Sequence, residues 1–156
     1  GAGAAPSPKN DVARLTDNLL PYDLSGHTQE REIARHFGRP VSFMPHVASF
    51  FVGITLTIRV ELREPTTQAT LVSLLRARYE REPLVKIHDA IPEVKDARGT
   101  HVVNVGGVAV SADGTRAVVV ATLDNLLKGA ATQAVQNVNL GLGFDELTGI
   151  DAAVRT

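Results

Sequence analysis

The sequence predicts an α+β fold: a mostly antiparallel mixed sheet with helices on one face. Three observations predict it. Ile54, Leu56, Ile58, Val60 and Leu62 alternate with Thr55, Thr57, Arg59 and Glu61. This is a period of two with one wet face, as in an antiparallel sheet. Two apolar runs, His101 to Val110 and Thr115 to Leu123, flank Ala112-Asp113-Gly114-Thr115, whose residues suit a hairpin turn. The elements follow as strands, helix, strands, helix, without the regular alternation of a parallel α/β sheet.

Taken in order, Gly1 to Asp23 is rich in Gly, Ala, Pro and Asn and reads as irregular. Residues 1–26 form the lead-in to a single domain over 1–156. Thr28 to Phe37 reads as a helix. Thr28 is the candidate cap, Arg31, Glu32 and Arg35 face solvent, and Ile33 and Phe37 face inward. Gly38 ends it and Pro40 blocks continuation. Val41 to Val47 is a first strand, and Val52 to Leu62 the clearest one. Pro65 and Thr66 open an amphipathic helix to about Glu82, with Leu71, Leu74, Leu75, Arg78 and Tyr79 at helical spacing, and Pro83 stops it. Leu84 to His88 is a short strand, and Ala90 to Thr100 a polar connection. After the hairpin a final helix runs from about Leu126 to Leu142, ending near Gly143.

Composition narrows the function classes. A net charge of -1 and few aromatic residues argue against a nucleic-acid or anionic-membrane partner. No apolar run approaches the roughly 20 residues of a membrane-spanning helix. The chain has no cysteine, hence no disulfide, thiolate metal site or cysteine nucleophile of its own. The histidines lack metal-ligand spacing, so no metal is expected. No G-x-G-x-x-G follows a strand, so these residues contain no dinucleotide-binding unit.

The stretch with most chemistry is DNLLKGAATQAVQNVN, Asp124 to Asn139, where a strand hands over to a helix. Polar groups at such a junction commonly line a ligand site, and helix-start N–H groups attract anions. This stretch resembles the closing segment of N-acetyl-gamma-glutamyl-phosphate reductases and, more distantly, of aspartate-semialdehyde dehydrogenases. GAGAAPSPKND (Gly1 to Asp11), LSGHTQEREIARHFG (Leu24 to Gly38), SFMPHVASFFVGITLTI (Ser42 to Ile58) and GTHVVNVGG (Gly99 to Gly107) resemble the same family, in family order. The wording is closest to the fungal type, the reductase part of the bifunctional acetylglutamate kinase/reductase.

The resemblance implies a two-domain enzyme of the glyceraldehyde-3-phosphate dehydrogenase-like superfamily, acting in arginine biosynthesis. Its first domain binds NADP and supplies a nucleophilic cysteine. Its second supplies a histidine, substrate contacts and the subunit interface. This chain resembles the second domain, begun after the cysteine, and is expected to be inactive alone. Its expected partners are an acyl-phosphate substrate, its own N-terminal NADP-binding domain and a second copy of itself. The matrix of the mitochondrion is the expected location, with the cytoplasm as alternative.

Residue by residue, the resemblance makes His27 the catalytic histidine. Family members often carry two histidines two positions apart, and Gln29 stands at the second place here. Asn125 corresponds to an amide that pairs with the nicotinamide carboxamide; an N-cap role for it or Asp124 is compatible. Lys128 and Gly129 complete the cofactor set, Lys128 for an anionic group and Gly129 for close approach. Gly1, Gly3, His46 and Arg98 form the substrate set. His46 reads equally as a hydrogen-bonded structural residue, and Arg98 as a surface arginine. Glu30, Glu32 and Glu80 read as solvated helical charge. Two rival functions stay open: reduction of aspartyl or aminoadipyl phosphate, and a non-catalytic dimerisation or binding module without the cysteine half.

Overall fold

The structure, a computed structural model, describes Pro8 and residues 11–150. The chain divides into two compact units, Gly1–Phe51 and Val52–Thr156.

In the first unit the lead-in is more ordered than its composition suggests. Asp11 caps a helical turn, α1 (Val12–Leu15), with Oδ1 accepting from the N–H of Ala13 at 2.8 Å. A short strand, β1 (Leu19–Pro21), follows. The helix expected at Thr28 is α2 (Thr28–Phe37), ended by Gly38 at φ 65, a left-handed position that glycine occupies at little cost. Its cap is His27 rather than Thr28, and Phe37 is 71% exposed rather than inward. The strand expected at Val41 to Val47 shrinks to β2 (His46–Ala48), which pairs antiparallel with β1. Pro45 lies in the missing part and Pro40 just before it, and proline has no N–H for a ladder.

The second unit is built on a four-stranded sheet. Its strands are β3 (Ile54–Glu61), β4 (Val85–Ile87), β5 (Val103–Val110) and β6 (Arg116–Leu123). They lie in the order β3-β6-β5-β4. β3 and β5 both pair antiparallel with β6, whereas β4 runs parallel to β5. The mixed, mostly antiparallel sheet is thus as expected. β5 shifts register between Gly106 and Ala109. A Cβ on Gly106 would lie 2.5 Å from the Ala90 carbonyl oxygen, so only glycine lets the polar connection cross β5 here.

Between β3 and β4 lies α3 (Gln68–Tyr79), capped by the Thr67 hydroxyl, which accepts from the Thr70 N–H at 3.2 Å. It starts later than expected because Thr67, with extended backbone, is the capping residue. A single turn, α4 (Val94–Ala97), interrupts the polar connection. The final helix is split: a π turn over Leu127–Ala131 precedes α5 (Thr132–Leu142), which Gly143 ends at φ 76. Leu84 and Val102 form a buried cluster against which Leu147 and Ile150 pack.

One sheet face is apolar throughout. Ile54, Leu56, Ile58 and Val60 lie opposite Leu123, Ala121, Val119 and Ala117. Val103 and Val105 continue the row, and Val85 and Ile87 extend it to β4. Paired residues share a face. At its middle, Ile58 is 41% exposed.

Candidate functional site

The junction after β6 is organised by the Asp124 carboxylate, 3% exposed. Its Oδ1 accepts from the N–H groups of Leu126 at 2.8 Å and Leu127 at 3.0 Å, and its Oδ2 from Gly99 at 2.8 Å. The carboxylate thus caps the π turn and ties the loop at Gly99 to it. Burial works against the charged form. The N–H groups of Gly99, Leu127 and Leu126 and the charge of Arg98 outweigh it, so the Asp124 pKa lies below the ordinary value.

Asn125 is fixed from the other side. Its Oδ1 accepts from the Gly53 N–H at 2.7 Å. The amide oxygen is engaged, so the group the residue can offer a ligand is its NH₂. Gly53 sits just before β3 at φ 120, a conformation other residues avoid. Ile54 and Val103 both lie opposite Leu123. Gly53, the Arg98–Gly99 loop and Asn125 therefore meet at one end of the sheet.

In the π turn, Gly129 and Ala131 donate five residues back, to Asp124 O at 2.9 Å and Leu126 O at 3.0 Å. π turns of this kind are often found at functional sites. A Cβ on Gly129 would come within 3.1 Å of a Leu123 methyl, so glycine lets the turn lie close over the strand end. Lys128 is turned toward α5, its ammonium donating to the side-chain oxygens of Gln133 and Gln136. Burial lowers its pKa, against the raising charges of Glu146 and Glu82. Arg98 is exposed and, among the described residues, pairs with no carboxylate. His101 Nδ1 bonds the buried Thr132 hydroxyl at 2.7 Å, and His88 Nε2 bonds Asn104 Oδ1 at 2.8 Å.

His27 belongs to the first unit. Its Nδ1 accepts from the Gln29 N–H at 3.2 Å, capping α2. A neutral ring that accepts at Nδ1 carries its proton on Nε2, so His27 presents an N–H donor. The ring lies edge-on to Tyr22, centroids 5.8 Å apart, and 5.1 Å from the Phe43 ring. Glu30 holds this arrangement: its carboxylate accepts from the backbone N–H of Gly26 at 2.9 Å and of Phe43 at 3.4 Å. His46 is exposed, with Nδ1 against the Met44 carbonyl at 3.1 Å. Gly1 and Gly3 lie outside the described residues.

Several functional neighbours escaped the sequence reading. Glu30 had a signal, a glutamate three residues after a cap, the spacing of a capping box. The Asp124–Gly99 and Asn125–Gly53 bonds had none, because they join loops distant in the chain. Among the described residues no group of three His, Asp or Glu is placed to hold a metal ion.

Relatives extend these observations. The family described as "Semialdehyde dehydrogenase, dimerisation domain" matches residues 1–125. The bifunctional protein argC, mitochondrial, of Dictyostelium discoideum is 56% identical over 96% of this chain and 18% of its own length. An N-acetyl-gamma-glutamyl-phosphate reductase of Xanthomonas campestris is 54% identical over 96% of this chain and 48% of its own. The chain thus spans about half the length, or less, of these proteins. Among solved structures, a probable aspartate-semialdehyde dehydrogenase from Pseudomonas aeruginosa superposes with a TM-score of 0.69. It covers 83% of this chain and 42% of its own at 23% identity, a likeness of fold. With the family match running over 125 of the 156 residues, this chain belongs to the semialdehyde dehydrogenase dimerisation-domain family.

Proposed function

We propose that this chain is the second domain of an NADP-dependent N-acetyl-gamma-glutamyl-phosphate reductase of arginine biosynthesis, which forms N-acetylglutamate semialdehyde. On this reading residues 1–156 are a single catalytic and dimerisation domain, completed by an NADP-binding domain that supplies the cysteine. The observation that carries the reading is the fixed amide of Asn125. With its oxygen accepting from Gly53, its NH₂ is the group left to donate to the nicotinamide carboxamide oxygen.

The residues present fit such a cofactor. Gly129 lets the turn lie close over the strand end, where a Cβ would come within 3.1 Å of a Leu123 methyl, and Lys128, with two N–H groups given to Gln133 and Gln136, keeps one ammonium N–H for an anionic group. Bound NADPH supplies the hydride. This chain's residues orient and polarise: Asn125 fixes the ring, and the His27 Nε2–H donates to the sulfur or to the acyl oxygen. Arg98, exposed, receives the substrate carboxylate, and His46, with Gly1 and Gly3, completes the substrate contacts. The apolar sheet face around Ile58 packs against a second copy. The relatives named mitochondrial support a mitochondrial matrix location.

The full-length protein tests this directly. NADPH formation should be seen with N-acetylglutamate semialdehyde, phosphate and NADP, run in the oxidative direction because acyl phosphates hydrolyse. Turnover of aspartate semialdehyde in its place would overturn the substrate assignment, and no turnover of either would overturn the enzyme reading.

A further inference from the structure

Helix α5 is polar on its inner side. Thr132, Gln136 and Asn139, at positions i, i+4 and i+7, are buried, while Val135, Val138 and Leu142 are exposed. A helix at a domain surface ordinarily buries the apolar stripe, and burying amides is costly unless every polar atom is bonded. The Gln136 side-chain amide is bonded at both ends. Gln136, 4% exposed, accepts from Lys128 Nζ and donates to Glu146 Oε1. Asn139 Nδ2 donates to the carbonyl oxygens of Glu146 at 3.1 Å and Thr148 at 2.9 Å. The segment these bonds clamp carries Leu147 and Ile150, which pack on the Leu84–Val102 cluster.

A continuous path therefore leads from the hydrophobic core through Glu146 and Gln136 to Lys128, inside the π turn that begins at the Asp124–Asn125 junction. A π turn is a poor conformation by itself, and Asp124 caps only its start. We propose that Gln136 and Glu146 are positioning residues for cofactor binding: through Lys128 they hold the π turn in the register that aims the Asn125 amide. This rests on the assignment of Asn125 to the nicotinamide carboxamide. Buried, hydrogen-bonded polar groups specify one arrangement among several that an apolar contact would accept, which suits a turn that must place an amide against a ligand.

The test uses the full-length protein and NADPH titration, with kcat, KM and melting temperature followed alongside. Gln136→Leu, and Gln136→Glu, which sets two carboxylates against each other, should each raise the NADPH Kd and KM on the order of ten-fold, with a smaller change in kcat. The double variant Gln136→Glu/Glu146→Gln re-creates the chain with its groups exchanged and should return Kd to within about two-fold. A lowered melting temperature with unchanged NADPH Kd in Gln136→Glu, or an exchange variant that folds but stays weak, overturns the proposal. Should Gln136→Leu not fold, the Glu and exchange variants decide. Asn125→Ala separates the two claims. If it binds NADPH as wild type does, the nicotinamide reading falls and this proposal with it; if it weakens NADPH while Gln136→Glu does not, only the positioning claim falls.

Discussion

Asn125 Oδ1 accepts a 2.7 Å hydrogen bond from the Gly53 backbone N–H, 72 residues away in sequence. The bond decides which end of the amide a ligand meets. It also depends on a backbone at φ 120 that only glycine adopts readily. Gly53→Ala should strain this position by about 1–3 kcal/mol and loosen Asn125. The variant should lose stability in urea denaturation and bind NADPH more weakly. Wild-type NADPH affinity in a folded Gly53→Ala protein would show that this bond does not set the amide.

Asp124 gives a pH-dependent prediction. Its carboxylate holds three backbone N–H groups, and Asp124→Ala should cost about 2–3 kcal/mol. Its folded pKa lies below that of an ordinary aspartate. The stabilisation is therefore complete above that value and is lost as pH falls through the lower, folded pKa. Below about pH 4 the wild type should lose stability faster than Asp124→Asn, so the two unfolding curves converge on acidification. Parallel curves would mean that Asp124 titrates alike in both states.

At His27 two roles can be separated, because the ring both caps α2 and presents Nε2–H. His27→Asn keeps a capping acceptor, whereas His27→Ala does not. In the full-length enzyme both should lower kcat by about 10²–10⁴, while only the alanine variant loses roughly 1 kcal/mol of stability. Equal activity in wild type and His27→Asn would confine His27 to capping.

Glu30 supports that arrangement through Gly26 and Phe43. Glu30→Ala frees two backbone N–H groups and should lower kcat about ten-fold or more while His27 remains. An unchanged kcat with a lower melting temperature would make Glu30 a purely structural residue.

What was legible in the sequence follows from the range of the forces involved. The alternation of β3, the hairpin at Asp113-Gly114 and the α2 stop at Gly38 are local effects, and each stands where it was expected. In the turn, the Ser111 hydroxyl, the Thr115 N–H and the Thr115 hydroxyl hold the Asp113 pKa down to about 2. The cap at His27 was less legible, since a ring nitrogen replaces the usual hydroxyl. The strand Leu19–Pro21 was hidden in a Pro- and Asn-rich segment, because it is held by pairing with His46–Ala48 rather than by propensity. The split of the last helix was invisible too: helical spacing holds across Leu126 to Leu142, and the π turn arises from the Asp124 cap and the Lys128 bonds.

The apolar sheet face carries the last prediction. Ile58 stands at its middle, opposite Val119, and is 41% exposed in the single chain. In one chain alone, a lysine there can keep its ammonium in water and should cost little. If the face packs on a second copy, the same lysine is buried without a counter-charge, a cost of several kcal/mol. That is enough to separate subunits at micromolar concentration, since each 1.4 kcal/mol is tenfold in Kd. Ile58→Lys should therefore convert the oligomer to protomers in size-exclusion with light scattering, without a matching fall in melting temperature at low concentration. Thr57→Lys, one residue away and on the opposite face, should leave the mass unchanged. Wild-type mass for Ile58→Lys would place the subunit interface elsewhere than on this face.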